Sequence, residues 1–149
     1  MKVRYLILLL LSALLLAACH SNLRQKTAQA KAAYDSAAGA EISSFTEPLR
    51  WVSWEPLGEK ALVVYTRPNR AYLLDVSLCP DLPTASAIKL SAVAGEITSK
   101  LDKVYVGGSR YPCRIEHIRP LDLAKLHAAQ NQRHNIGTMP RSSDTQGNR

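Results

Sequence analysis

Apolar positions along the chain form one long run, then a series of short alternating segments, then a closing helical stripe. The long run, Tyr5 to Leu16, is broken only by Ser12. A polar, alanine-rich stretch follows. Leu23 to Ala38 holds neither proline nor glycine and predicts a helix, with Gly39 placed as a left-handed stop. Alanine dominates its apolar face, so it reads as helix and tether together, with Tyr34 as the best contact to a folded domain. From Ile42 onward the pattern shortens to strands. Leu49 to Trp54 alternates imperfectly, and Pro56-Leu57-Gly58-Glu59 reads as a turn. Ala61 to Tyr65 is almost continuously apolar, the pattern of a strand buried on both faces. Arg67-Pro68-Asn69-Arg70 is a tight-turn signal, and Ala71 to Val76 is the returning strand. Val64 or Tyr65 should therefore lie opposite a residue between Ala71 and Leu74.

Two prolines make Leu78 to Pro83 an irregular loop. Ile88 to Ser91 and Glu96 to Thr98 predict a second hairpin across Ala94-Gly95. Lys103 to Val106 and Tyr111 to Ile118 predict a third across Gly107-Gly108. Arg119-Pro120 should end that strand, and Leu121 to Gln130 reads as a helix with Leu121, Leu123 and Leu126 inward. Everything after Asn131 is polar, with Gly137, Pro140 and Gly147, and has the composition of a disordered tail. The fold class is α+β: an antiparallel sheet of about six short strands, with an N-terminal helix or tether and a C-terminal helix. Curling of the sheet into a small barrel is the alternative form. Residues 1–18 read as a signal, 19–40 as the tether and helix, 41–130 as one domain and 131–149 as the tail.

The opening run gains meaning from its flanks. Lys2 and Arg4 precede it, and Leu16-Ala17-Ala18-Cys19 closes it. This motif resembles the lipobox of bacterial lipoprotein signals. The resemblance implies a diacylglyceryl group on the Cys19 thiol, cleavage before it and acylation of the new amine. The run falls short of the roughly 20 apolar residues that a membrane span needs, whereas two or three acyl chains anchor firmly. His20 stands where aspartate would favour inner-membrane retention, so the resemblance implies the outer membrane, facing the periplasm of a Gram-negative cell.

Charge changes the picture modestly. The formal charge of +7 falls to +5 once Lys2 and Arg4 leave with the signal. A basic envelope domain suits anionic lipid heads, lipopolysaccharide phosphates or acidic polymers. Export removes nucleic acid as a partner. The basic residues are scattered, the pattern of a solvated surface. Of three cysteines Cys19 takes lipid, which leaves Cys79 and Cys113 for a disulfide in an oxidising compartment. A redox or metal pair is the competing reading, but neither CxxC nor Cys-His metal spacing occurs.

The lipobox together with Trp54-Glu55-Pro56-Leu57-Gly58, Tyr65-Thr66-Arg67-Pro68, Ala71-Tyr72-Leu73-Leu74, Cys113-Arg114-Ile115 and Ile118-Arg119-Pro120-Leu121-Asp122 carries a family resemblance. The chain resembles small proteobacterial lipoproteins described only as a domain of unknown function, over Tyr34 to Ala129. The paired cysteines, matching Cys79 and Cys113, are its most specific element. The resemblance implies one exported, bridged domain and brings no activity.

No nucleophile elbow, HExxH, phosphate loop or dinucleotide fingerprint occurs, so no catalytic residue, metal or cofactor is assigned. On a regular strand His117 shares a face with Cys113 and Ile115, which suits a packed or rim histidine. Trp51 and Trp54 lie three apart and point to opposite faces, so one is core and the other exposed or covered by a terminal helix. An exposed Trp beside Arg50 and Arg67 would grip a sugar or peptide, while packing of both Trp residues in the core is the plain alternative. Arg114, Glu116, Arg119 and Asp122 are expected to form ion pairs, and Asp122 is also placed to cap the last helix. The leading expectation is a non-catalytic envelope domain that binds a protein or cell-wall component. A second is an inhibitor of a wall-degrading enzyme such as lysozyme, through Gly108-Ser109-Arg110-Tyr111. A third is an enzyme using His117 with a carboxylate such as Asp102.

Overall fold

The structure is a computed structural model that describes residues 25–46 and 52–137. The signal run, Cys19, Arg50, Trp51 and residues 138–149 lie outside the described residues. A six-stranded antiparallel sheet has the order β2-β3-β4-β8-β7-β5. Its strands are β2 (Ser53–Pro56), β3 (Ala61–Arg67), β4 (Arg70–Val76), β8 (Cys113–Leu121), β7 (Lys103–Val106) and β5 (Ile88–Leu90). A two-stranded ribbon, β1 (Ser44–Thr46) with β6 (Glu96–Thr98), packs against its concave side. Helix α1 spans residues 25–37 and α2 spans Leu123–Gly137. The sheet curls into a half-barrel. Trp54 on one edge strand and Ile88 and Leu90 on the other line a single cavity, although β2 and β5 are not neighbours in the sheet.

Alternation along the central strands builds two cores. Leu62 and Val64 of β3, Leu74 and Val76 of β4, and Ile115 and Ile118 of β8 face the concave side, where Phe45 and Ile97 of the ribbon fill the interior. Ala61, Val63, Ala71, Leu73 and Leu121 face the convex side, under Ala33, Tyr34 and Ala37 of α1 and Leu126 of α2. The run Ala61–Val64 is at most 1% exposed, as a strand covered on both faces requires. Val64 pairs with Tyr72 and Tyr65 with Ala71, the register that the sequence predicts.

Alanine on α1 lets the helix backbone approach the sheet closely, and polar contacts then fix it. Tyr34 donates to the Glu55 carboxylate, and its hydroxyl lies 3.5 Å from that of Tyr65. Asp35 accepts from Lys31 and from Arg119 (2.7 Å), and Arg119 also donates to Asp75 (2.9 Å). Burial pushes the Asp35 carboxyl up, but hydrogen bonds from Lys31 and Arg119 outweigh it and hold the group below the usual carboxylate range. A carboxyl depressed in the folded state adds stability above its unfolded pKa of about 3.9, and that stability is lost as pH falls through the lower folded value. Acidification below about pH 4 should therefore loosen α1 before the sheet. NMR resonances of Ala33, Tyr34 and Ala37 should move with Asp35 titration while those of Val63 and Leu73 hold. Simultaneous loss of all five would contradict this.

Several local expectations are corrected. Gly39 is not left-handed; its N–H donates to Pro120 O (2.8 Å), and a Cβ there would meet the Pro120 ring at 3.4 Å. Pro120 does not end β8. Its carbonyl faces residue 39, so its nitrogen also faces that side and no ladder bond to β4 is lost. β5 and β6 are not a hairpin: β5 pairs with β7 and β6 with β1. Ala94 and Gly95 both take positive φ, turning the chain out of the main sheet, and Ile97 reaches the core opposite Phe45. The loop after Leu78 includes a short 3-10 turn, Leu82–Thr84, with Pro83 in its first turn and Leu82 fully buried. Helix α2 continues past Gln130 to Gly137, since no breaker intervenes.

Candidate binding groove

The tight turn at Pro68-Asn69 leaves Arg67 and Arg70 as the last cross-strand pair of the β3–β4 hairpin. A register shift between Tyr65 and Arg67 sits beside that pair, where Thr66 Oγ reaches the Arg70 carbonyl (3.3 Å). The ribbon approaches from the other side. Phe45 is buried and stacks on Tyr72, with ring centroids 4.2 Å apart and planes 16° from parallel. That stack fixes Ser44 and Thr46 next to β4, with Glu96 directly opposite Thr46. Together these residues and Ile42 line a groove of about 410 Å3 at one end of the half-barrel.

Its electrostatics are uneven. Like charges directly opposite on paired strands repel, and both arginines are exposed. Among the described residues no carboxylate lies within 4.0 Å of either guanidinium, whereas Arg114 and Lys125 each have one and Lys31 and Arg119 each have two. Glu96 gives the groove one carboxylate. A smaller concavity, about 100 Å3, is the apolar seam lined by Trp54, Val64, Ile88 and Leu90.

The residues singled out by sequence are dispersed. Arg67 lines the groove and Trp54 lines the seam, so the two do not share a surface. His117 is exposed rather than sharing the inward face of Cys113 and Ile115. A register shift between Asp75 and Val76 lets Ile115 and Ile118 both point inward and turns His117 outward. There its Nδ1 lies 2.9 Å from Glu41 Oε1, with both side chains about half exposed. Asp102 is 2% exposed. Its Oδ1 accepts from Ser91 Oγ (2.6 Å) and its Oδ2 from Thr98 N–H (2.7 Å). It is a structural tie between β6 and β7, whereas the carboxylate that His117 contacts is that of Glu41. Gly108-Ser109-Arg110-Tyr111 forms an exposed loop between β7 and β8, with Tyr111 75% exposed.

Of the expected ion pairs, Arg114–Glu116 forms (2.9 Å), Asp122 approaches Lys125 (3.8 Å), and Arg119 turns to Asp35 and Asp75. Asp122 also caps α2, accepting from Lys125 N–H (3.0 Å). Cys79 and Cys113 are bridged, with Cα atoms 5.7 Å apart. Sequence reasoning passed over Arg70, Tyr72, Phe45, Thr46 and Glu96. The turn motif itself carries the signal for Arg70, because a two-residue turn sets it opposite Arg67.

A family model described as "Family of unknown function (DUF6491)" matches residues 2–137, a wider span than the resemblance read from the motifs. No curated protein and no solved structure gives a significant match.

Proposed function

We infer the role of this protein from its own residues, since the chain belongs to a family of unknown function, DUF6491. The role is that of an envelope domain, anchored in the outer membrane through lipid on Cys19 and facing the periplasm, that binds a protein or cell-wall component without transforming it. The observation that carries the binding half is the groove, where two neighbouring guanidinium groups stand without a described carboxylate partner. An arrangement that repels itself in the free protein is relieved by an anionic partner. The anchor half is supported by Leu16-Ala17-Ala18-Cys19 behind its basic and apolar flanks.

The two halves are tested separately. Cys19→Ala should abolish incorporation of a fatty-acid analogue and leave the protein full-length or mis-cleaved; a variant that labels as well as the parent would remove the anchor. Crosslinking in intact cells should capture a defined partner, and a random sample of abundant neighbours would remove the binding role.

A further inference from the structure

We propose that the groove takes an acidic saccharide, a sugar ring bearing a carboxylate or phosphate, with the anionic group held between Arg67 and Arg70. This rests on the binding reading above and names its ligand class. Two guanidinium groups on directly paired residues present adjacent donor forks, the arrangement that suits the planar or tetrahedral oxygens of a carboxylate or phosphate. Their exposure keeps them accessible.

The rest of the groove narrows the choice. Tyr72 is only partly buried, and its stack on the buried Phe45 holds the ring in place as a rigid apolar wall. Such a wall packs against the C–H face of a sugar. The Ser44 and Thr46 side chains line the same groove and add hydroxyl donors and acceptors for ring hydroxyls. Glu96 repels a ligand that is anionic along its whole length, such as an acidic peptide, but accepts hydrogen bonds from neutral hydroxyls. One anionic group on an otherwise neutral, hydroxyl-rich body meets both ends of this charge pattern. The volume of about 410 Å3 lies within the range of small-ligand sites.

The test is an NMR titration of the full chain in non-ionic detergent, with four probes: N-acetylmuramic acid, N-acetylglucosamine 6-phosphate, neutral N-acetylglucosamine and a tetraglutamate peptide. At least one acidic sugar should shift the resonances of Thr46, Arg67, Arg70 and Tyr72 to saturation, with the neutral sugar weaker by about ten-fold or more. Arg67→Gln and Arg70→Gln should each weaken that binding by about ten-fold, with other resonances unmoved, and Arg114→Gln should leave it unchanged. Response to N-acetylmuramic acid alone assigns the carboxylate of wall glycan; response to the phosphate sugar alone assigns phosphorylated glycan; response to both means that charge alone is read. The assignment is overturned if neither acidic sugar shifts the groove, if the neutral sugar binds equally, if tetraglutamate binds more tightly, or if the arginine variants bind as the parent does. A cellular partner captured equally by parent and Arg67→Gln would overturn the saccharide assignment and leave the binding reading standing. Absence of any defined partner for the parent would remove the reading itself.

Discussion

Cys79→Ser and Cys113→Ser are each expected to lower stability by about 2–5 kcal/mol, the largest effect of any single change outside the apolar core. The bridge spans 34 residues of sequence, and closing a loop of that size is worth roughly 3–4 kcal/mol in the chain-entropy model. Its position adds to this. Cys79 lies between the end of β4 and the turn at Leu82–Thr84, in a segment whose backbone contributes few sheet bonds. Cys113 opens β8, the strand that joins the two halves of the sheet. Both sulfurs sit in the concave core beside Leu82 and Ile115, so the bridge brings an irregular loop into register with the interior. The double variant should cost no more than either single one, because both remove the same bond. Denaturant midpoints measured on oxidised protein decide this; equal stability of parent and double variant would show that the bridge carries none of the fold.

Asp102→Ala is expected to destabilise by about 2–4 kcal/mol, since it removes a buried carboxylate that accepts from two partly buried donors. Ser91 Oγ and Thr98 N–H both give their hydrogen bonds to this carboxylate, and Ser91 Oγ in turn accepts from Lys103 N–H (2.9 Å). The network ties the loop after β5 and the end of β6 to the start of β7, beside the backbone bonds Ser91 N–H to Lys103 O and Asp102 N–H to Thr98 O. Asp102→Asn retains one carbonyl acceptor and should cost less. His117→Ala provides the contrast: its exposed contact with Glu41 is worth less than about 1 kcal/mol. The pattern separates a structural Asp102 from a catalytic one. Stable Asp102→Ala protein with a lost cellular phenotype would favour the enzymatic reading instead.

How far the sequence disclosed this molecule depended on the range of each contact. The β3–β4 hairpin was readable because Ala61–Val64 is apolar without interruption and the turn signal at Pro68-Asn69 lies next to it. The β7–β8 hairpin and the Asp122 cap were readable for similar reasons, each resting on a local motif, and the Cys79–Cys113 pairing followed from the expectation that Cys19 takes lipid. The ribbon was not readable. Ser44–Thr46 and Glu96–Thr98 are three-residue strands far apart in sequence, and their pairing depends on Phe45 and Ile97 entering a core that other strands build. The register shift around Glu116 was equally hidden, since a regular alternation is the default reading and one extra residue reverses it for His117. The groove inherits both limits. Arg67 came from a local motif, whereas Phe45, Thr46 and Glu96 reach it only through the ribbon.

A photo-reactive side chain at Thr46, on the groove rim, captures whatever the groove holds when it is activated in living cells. A second protein carrying the same group at Lys125, on the exposed face of α2, serves as its counterpart. If the groove binds a partner, its position should give one reproducible adduct, a single protein or a wall fragment identified by mass spectrometry, that the α2 position does not give. The same spread of abundant neighbours from both positions would contradict it.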